Sequence, residues 1–248
     1  MSRARLSVVV VTQNEEERIR VCLEAVAWAD ELIVVDAESS DKTATIAREL
    51  TDHVFVRPWP GFAAQKNFGL EQAHGDWILS LDADEALSEA LEAEIINLKK
   101  SGPKFDAYTM PRLARYLGRW IYHSGWYPDR KIRLYDRSKA KWVGDFVHES
   151  VRSTGRVGNL QADILHFTCD SLSEHLRTLD RYTTLAAQEL AASKVPVPIW
   201  SLIFDPPWNF MRAYVLQRGF MDGLEGLIIS YMAAFYTFLK YSKARNMS

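Results

Sequence analysis

Two carboxylates, Asp82 and Asp84, follow a short apolar segment that runs from Trp77 to Leu81. Gly75 precedes the segment and acidic residues follow it, a pattern typical of a buried strand. In an open α/β sheet, ligands bind beyond the carboxyl ends of the strands, so both aspartates are predicted to lie at a binding edge. Carboxylates two residues apart can reach one Mg²⁺ or Mn²⁺ ion, which prefers oxygen ligands completed by phosphates. The alternative is a solvated turn after a strand, because Asp-x-Asp is a common sequence.

Polar residues also follow other apolar segments in the first hundred residues. The segment Leu6 to Val11, rich in β-branched residues, ends at Thr12, and Asn14 comes next, placed to cap a helix. A second segment, Glu31 to Val35, ends at Asp36. Strand-like and helix-like segments alternate four times before residue 100, which predicts a mainly parallel sheet with right-handed crossovers. The strand ends would bring these side chains to the edge that holds the two aspartates.

The second half of the chain is less regular. Ser88 is predicted to cap a helix that continues to Leu98, and Ser173 to Ala192 has the spacing of an amphipathic helix. Between strand-like segments at 105–110 and 131–135 lies a stretch rich in Arg, Tyr and Trp. Aromatic faces beside charges suit a sugar ring with anionic substituents, and the alternative is a surface lobe whose aromatic residues pack on the sheet. Prominent members of this stretch are Arg112, Trp126, Tyr127 and Arg130.

Composition and charge exclude several classes of protein. The 248 residues suffice for one large α/β domain, and the net charge of -2 gives no electrostatic basis for binding nucleic acid. Cys22 and Cys169, the only cysteines, lack metal-ligand spacing and suggest neither a disulfide framework nor a zinc site, which fits a reducing, cytosolic setting. No Gly-x-Gly-x-x-Gly or Gly-x-x-x-x-Gly-Lys motif is present, so dinucleotide binding of the usual kind and a P-loop are not predicted.

Four motifs in the first hundred residues resemble, in their order and spacing, those of the family 2 inverting glycosyltransferases of the GT-A fold. They are Val-Val-Val-Val-Thr-Gln-Asn-Glu at 8–15, Ile-Val-Val-Asp-Ala-Glu-Ser-Ser-Asp-Lys-Thr at 33–43, Ala-Gln-Lys-Asn-Phe-Gly at 64–69 and Leu-Asp-Ala-Asp-Glu at 81–85. Later motifs, including Gly-Trp-Tyr-Pro-Asp-Arg at 125–130 and Val-His-Glu at 147–149, resemble the bacterial lipopolysaccharide core glycosyltransferases of the WaaE type. The resemblance spans nearly the whole chain.

This resemblance implies a fold and a donor site. The fold is α/β of the GT-A type, Rossmann-like, with a mainly parallel sheet flanked by helices and a C-terminal helical, membrane-associating extension. The implied division is a catalytic domain at 1–198, made of a nucleotide-sugar half at 1–100 and an acceptor half at 101–198, and an amphipathic extension at 199–248. The implied donor and metal residues are Thr12, Asn14 and Asp36 for uridine and ribose, Gln65 and Lys66 near the diphosphate or the donor sugar, and Asp82 and Asp84 for ribose and a divalent Mg²⁺ or Mn²⁺.

The catalytic base is the least determined part of the site. Inversion by direct displacement needs a base that deprotonates the acceptor hydroxyl, and a divalent cation that offsets the charge on the departing diphosphate. Glu149, Asp145 and Asp129 are the candidates, and Glu149 is favoured because a short loop could return it to the Asp82 edge. His148 would orient that carboxylate or bind the metal. Acceptor-binding residues are expected to include Arg112, Trp126, Tyr127 and Arg130.

The predicted function is transfer of a hexose, glucose from UDP-glucose, to a lipid-linked saccharide such as the lipopolysaccharide inner core. The alternatives are a sugar nucleotidyltransferase, whose Gly-rich basic loop is absent, and a non-catalytic membrane scaffold of the same fold. Residues from about 199 onward, rich in aromatic and basic side chains, are predicted to lie on an anionic membrane surface, because the apolar stretch from Leu227 to Leu239 is too short to span. The protein would then be cytoplasmic and peripheral on the inner face of the cytoplasmic membrane. The alternative is that these helices pack onto the catalytic domain or form a homodimer interface.

Overall fold

The computed structural model describes residues 4–144, 149–193 and 196–247, which form two compact units. The first unit contains Met1–Arg112 and Asp129–His166, and the second contains Leu113–Pro128 and Phe167–Ser248. The proposed functional division into 1–198 and 199–248 remains a prediction.

The first unit opens with alternating strands and helices, as predicted. They are β1 (Leu6–Thr12), α1 (Ile19–Glu24), β2 (Glu31–Asp36), α2 (Thr43–Arg48), β3 (Val54–Val56), α3 (Phe62–Gln72) and β4 (Trp77–Asp82). The four strands are parallel and lie in the order β3-β2-β1-β4. All seven residues of β1 are buried, because the central strand is covered on both faces.

The strands added after β4 make the sheet a mixed one. The remaining elements up to residue 169 are β5 (Glu85–Leu87), α4 (Glu89–Ser101), β6 (Ala107–Tyr116), β7 (Arg119–Ile121), β8 (Asp129–Asp136), β9 (Ala140–Val143), β10 (Ser150–Ser153), β11 (Val157–Asn159) and β12 (Ile164–Cys169). The order continues from β4 through β8, β6 and β12 to β5, and β8 is antiparallel to both β4 and β6. The α/β sheet flanked by helices that the sequence predicted is confirmed, and it is mixed, with parallel pairing concentrated in the first four strands.

Strand register brings the predicted polar residues to one edge of the sheet. Thr12 is the register partner of Asp36 in the pairing of β1 with β2, and Val11 is the partner of Asp82 in the pairing of β1 with β4. The carboxyl ends of the parallel strands β1, β2 and β4 therefore lie side by side. The predicted cap of α4 is also confirmed, since the Ser88 hydroxyl accepts a hydrogen bond from the backbone N–H of Leu91.

The second unit is mainly helical. Its helices are α5 (Leu172–Ala192), α6 (Ile199–Met211), a π-helical turn (Arg212–Leu216), a 3-10 turn (Gly219–Asp222) and α7 (Gly223–Met247). Within the unit, the buried carboxylate of Asp222 accepts hydrogen bonds from the backbone N–H groups of Tyr122 and His123. Lys243 of α7 lies 2.7 Å from Asp180 of α5 and donates to Thr183 and Thr184, so these contacts tie α7 to α5. Among the described residues, no helix has both the length and the apolar character needed to cross a membrane.

Candidate active site

The carboxyl ends of β1 and β2 form the predicted donor edge. The Thr12 hydroxyl is buried without a hydrogen-bond partner among the described residues. The Asp36 carboxylate is fully buried and accepts hydrogen bonds from the backbone N–H (2.9 Å) and the hydroxyl (2.5 Å) of Ser39. Asp36 therefore shapes the loop that follows β2, and the unsatisfied hydroxyl of Thr12 offers a polar contact at the same edge.

Asn14 does not cap α1, which corrects the expectation from the sequence. The helix begins at Ile19, and its N-cap residue, Arg18, makes no side-chain capping hydrogen bond. Asn14 instead has a left-handed backbone, with φ of 55°, and its amide oxygen accepts from the backbone N–H of Ser40 at 2.8 Å. Asn and Asp tolerate this conformation better than most residues. Asn14 thus joins the loops that follow β1 and β2, and its role in donor binding remains a prediction.

Lys66 occupies the centre of the predicted site. It belongs to α3, its side chain is only 1% exposed, and its ammonium lies 2.9 Å from Asp82 Oδ1 and 3.4 Å from Glu149 Oε1. The ammonium also lies 4.2 Å from the centre of the Trp142 ring, within the range of a cation–π interaction. The structure therefore brings together Lys66, Asp82 and Glu149, three residues selected from the sequence.

Gln65, next to Lys66, is also fully buried. Both polar atoms of its carboxamide lack a hydrogen-bond partner among the described residues. Buried polar groups are normally paired, so the unpaired carboxamide of Gln65 indicates a place where a polar ligand would complete the hydrogen bonding.

Arg133 and Glu85 belong to the same cluster, although sequence reasoning did not select them. The Arg133 Nη2 atom lies 2.8 Å from Asp82 Oδ2 and 2.7 Å from Glu85 Oε1. Glu85 Oε2 in turn accepts from the backbone N–H of Asp82. Glu85 has no solvent exposure, and only 4% of the Arg133 side chain is exposed. Each carboxylate oxygen of Asp82 is thus within hydrogen-bond distance of a cation.

The electrostatics of this cluster keep Asp82 ionised. Burial raises the pKa of the Asp82 carboxyl, but the charges of Arg133 and Lys66 outweigh burial and hold that pKa well below its usual value. Burial by itself lowers the pKa of Arg133, whereas Asp82 and Glu85 raise it and keep the guanidinium charged. Asp82 is therefore a fixed anion between two cations, and its predicted contacts to ribose and metal remain predictions.

Asp84 has a different partner. It lies in the turn between β4 and β5, and its Oδ2 atom is 3.2 Å from Nε2 of His166. His166 reaches this position because β12 pairs with β5, where His166 is the register partner of Glu85. A carboxylate oxygen and an imidazole nitrogen fit a divalent cation such as Mn²⁺ when phosphate oxygens supply further ligands. No group of three or more His, Cys, Asp or Glu side chains able to hold a metal is found in the described part of the chain.

The three candidate bases differ in their surroundings. Glu149 is next to Lys66, as stated above. Asp129 lies 2.8 Å from Arg112 and 3.0 Å from Lys131. Burial raises the pKa of the Asp129 carboxyl, but these cations outweigh burial and lower it, which makes Asp129 a weaker proton acceptor. Asp145 and the candidate metal ligand His148 lie outside the described residues.

The four candidate acceptor residues are distributed over both units. In the first, Arg112 pairs with Asp129 and Glu85, and Arg130 donates to the carbonyl of Leu160 at 3.0 Å. In the second, Trp126 packs edge-on against Tyr116 with ring centres 5.5 Å apart, and Tyr127 packs against Tyr122 at 5.6 Å. Their acceptor role remains a prediction.

The fold of the chain is of the GT-A type, as two solved structures of similar fold show. The fold is similar to that of the mannosyltransferase PcManGT from Pyrobaculum calidifontis, with a TM-score of 0.55 and 14% identity over 99% of this chain and 88% of that one. It is also similar to glucosyl-3-phosphoglycerate synthase from Mycobacterium tuberculosis, with a TM-score of 0.51 and 15% identity over 78% and 81% of the two chains.

Sequence comparison identifies the family. A family model described as glycosyl transferase family 2 matches residues 7–151. The lipopolysaccharide core biosynthesis glycosyltransferase LpsC of Rhizobium meliloti (strain 1021) is 30% identical over 245 residues, which cover 96% of this chain and 91% of that protein. An uncharacterized glycosyltransferase of Rickettsia prowazekii (strain Madrid E) is 30% identical over 98% of this chain and 88% of its own length. The chain therefore belongs to glycosyl transferase family 2 and is an enzyme, as predicted.

Proposed function

We propose that this family 2 glycosyltransferase transfers a hexose, glucose from UDP-glucose, to a lipid-linked saccharide such as the lipopolysaccharide inner core, with inversion at the anomeric carbon. The proposed acceptor class is supported by the similarity to LpsC, a protein named for lipopolysaccharide core biosynthesis. That similarity extends over 96% of the chain. Support for the donor class comes from the M. tuberculosis synthase of the same fold, which was crystallised with Mg²⁺ and UDP.

In this proposal the donor lies along the carboxyl ends of β1, β2 and β4. Thr12, Asn14 and Asp36 contact uridine and ribose, where the unsatisfied hydroxyl of Thr12 gains a partner. Lys66 and the unpaired carboxamide of Gln65 approach the diphosphate. A diphosphate competes with Asp82 and Glu149 for the Lys66 ammonium, because all three are anionic. Donor binding would thereby loosen the Lys66–Glu149 contact and leave Glu149 able to accept the proton of the acceptor hydroxyl.

Asp84 and His166 would hold the divalent cation, with His148 as a further candidate. Bound there, the cation offsets the negative charge that grows on the departing diphosphate. The structure of the mannosyltransferase of similar fold is a complex with GDP-Man and Mn²⁺, which supports a divalent metal as the cofactor. The donor set of one carboxylate and one imidazole favours Mn²⁺ over Mg²⁺.

Donor binding can be tested by thermal stability against a panel of nucleotide sugars with and without Mn²⁺. UDP-glucose should raise the melting temperature more than GDP- or ADP-glucose, and the increase should depend on Mn²⁺. Asp84→Ala should abolish both the metal-dependent increase and glucosyl transfer while leaving the fold intact, whereas Asp52→Ala, at an exposed site, should change neither. Near-normal turnover of Asp84→Ala with the metal chelated would show that the metal assignment is wrong.

The exposed face of α6 supports a peripheral membrane location. Trp200, Phe204 and Trp208 recur every four residues, so they lie on one side of the helix, and each is about 60% exposed. Ile203 and Met211 extend this apolar surface. Trp is enriched at membrane interfaces, and an amphipathic helix with such a face binds in the plane of the bilayer. We place the enzyme on the inner face of the cytoplasmic membrane, with a homodimer through the same helices as the competing outcome.

A further inference from the structure

A cavity of about 440 Å³ lies within the second unit. Its walls come from the loop at 124–126, from α5, α6 and α7, and from the π-helical turn. Sites for small organic ligands usually have volumes of about 300 to 1,000 Å³. The cavity therefore has the size of a ligand site, and it involves none of the residues of the donor edge.

One buried polar side chain at the cavity wall indicates a polar ligand, and a second polar side chain lies beside it. The hydroxyl of Ser124 is buried without a hydrogen-bond partner in the described part of the chain, and Ser124 lines the cavity. Its backbone has φ of 59° and donates from its N–H to the carbonyl of Gln217 at 2.9 Å. The Gln217 side chain, a second lining group, covers Gly125 so closely that a Cβ at Gly125 would lie 2.5 Å from its oxygen. The fold thus holds the unsatisfied Ser124 hydroxyl at the wall on a left-handed backbone, next to the Gln217 carboxamide.

The rest of the lining suits a sugar ring. Trp126, Tyr182 and Tyr236 line the cavity with aromatic rings, and Asn209 and Thr178 add an amide and a hydroxyl. The orientation of Trp126 is supported by its edge-on packing against Tyr116. Aromatic faces cover the apolar side of a pyranose, whereas amides and hydroxyls bond its hydroxyl groups.

The charge of the lining is positive. Arg212 is exposed and makes no ion pair with the residues that the structure describes. It begins the π-helical turn, a conformation often found at functional sites. His175, the other titratable base, bonds the Tyr116 hydroxyl at 2.7 Å, and burial lowers the pKa of its imidazole, which favours the neutral form. Among the described lining residues there is no Asp or Glu to offset Arg212.

We propose that this cavity binds an anionic saccharide, that is, a sugar ring carrying a carboxylate or a phosphate. Arg212 pairs with the anionic group, the aromatic residues cover the ring, and Ser124 and Gln217 bond its hydroxyls. The inference goes beyond the proposed function, because the cavity belongs to the second unit and the donor edge to the first.

Titration calorimetry or ligand-observed NMR with free monosaccharides tests this proposal directly. Glucuronic acid and glucose 6-phosphate should bind at least about tenfold more tightly than glucose, which lacks the anion, and than inorganic phosphate, which lacks the ring. Arg212→Gln should weaken both anionic sugars by about tenfold or more. Arg177→Gln is the matched control, since Arg177 is an exposed arginine of α5 outside the cavity, and it should bind like the wild type.

A second variant tests the cavity itself rather than its charge. Ala233→Leu adds volume at a lining position of α7 and should reduce binding while Arg212 stays in place. If that variant does not fold, as judged by circular dichroism, Arg212→Gln still decides, because Arg212 is exposed. The proposal is overturned if no saturable binding occurs up to about 10 mM, if glucose binds as tightly as the anionic sugars, or if Arg212→Gln binds them normally.

The same measurements separate this inference from the proposed function. UDP-glucose binding is followed by the Mn²⁺-dependent thermal shift, which Arg212→Gln should leave unchanged. A protein that binds anionic sugars but no nucleotide sugar would contradict the proposed function alone. A protein that binds UDP-glucose but no anionic sugar would contradict only the assignment of the cavity.

Discussion

Replacing Arg133 by Met tests whether the charge cluster at the donor edge is held by buried ion pairs. The guanidinium lies 2.8 Å from an oxygen of Asp82 and 2.7 Å from an oxygen of Glu85. After the substitution, Lys66 still neutralises Asp82 at 2.9 Å. Glu85 has no exposure. Beside the hydrogen bond from the Asp82 backbone N–H, it would keep Arg112 as its one cation among the described residues, with the nearest nitrogen 3.4 Å away. The stability lost in Arg133→Met therefore comes from one poorly compensated buried carboxylate, that of Glu85, rather than from two.

Removing one partner of a buried ion pair usually costs about 3 to 5 kcal/mol, because an uncompensated charge stays buried. For a chain of this size each kcal/mol lowers the melting temperature by roughly 2 to 4 °C, so Arg133→Met should melt about 6 to 20 °C below the wild type. Lys131→Met is the control on the same strand. The Lys131–Asp129 pair is partly exposed, and its loss should cost about 1 kcal/mol or less.

Melting followed by circular dichroism measures both variants, and a second substitution tests the cause. Adding Glu85→Gln to Arg133→Met removes the uncompensated charge, so the double variant should recover part of the lost stability. The reasoning is refuted if Arg133→Met and Lys131→Met melt at the same temperature. It is also refuted if the destabilisation of the double variant equals the sum of those of Arg133→Met and Glu85→Gln measured singly.

Three further predictions concern catalysis, pH and membranes. Glu149→Gln should lower the transfer rate by about 10² to 10⁴-fold with little change in donor affinity, and the same kinetic signature in Asp129→Asn instead would move the base to Asp129. Burial raises the pKa of Glu31, but bonds from Ser7 and His74 outweigh burial and lower it from 4.5 to about 2. The stability that this carboxylate provides is thus present above about pH 4.5 and lost as the pH falls toward 2, so Glu31→Gln should be less stable than the wild type at pH 7 and equal to it near pH 2. Wild-type protein should float with anionic vesicles at low salt, whereas the double variant Trp200→Ser, Phe204→Ser should not. Equal flotation of the two proteins would favour the homodimer, as would a dimer that the double variant abolishes.

Local patterns in the sequence predicted much of the fold. The β-branched segment at Leu6–Thr12 is a fully buried strand, and Ser88 caps α4 as expected. Such features depend on burial periodicity and on hydrogen bonds between residues three or four apart, which can be read along the chain. The motifs that indicated the family are contiguous in the sequence, so they could also be read along it. The alternation of strands and helices placed the strand ends at Thr12, Asp36 and Asp82 on one edge of a parallel sheet.

Only the tertiary structure decided how the carboxylates of that edge are neutralised. Arg133 meets Asp82 and Glu85 across 51 and 48 residues of sequence, because β8 enters the sheet antiparallel to β4 with Leu134 opposite Leu79. His166 reaches Asp84 across 82 residues through the pairing of β12 with β5. Neither contact leaves a local signal, since an arginine in a strand is usually read as exposed and an isolated histidine as structural. Strand order and register bring such distant side chains together, and they are set by the packing of the whole sheet rather than by neighbours in sequence.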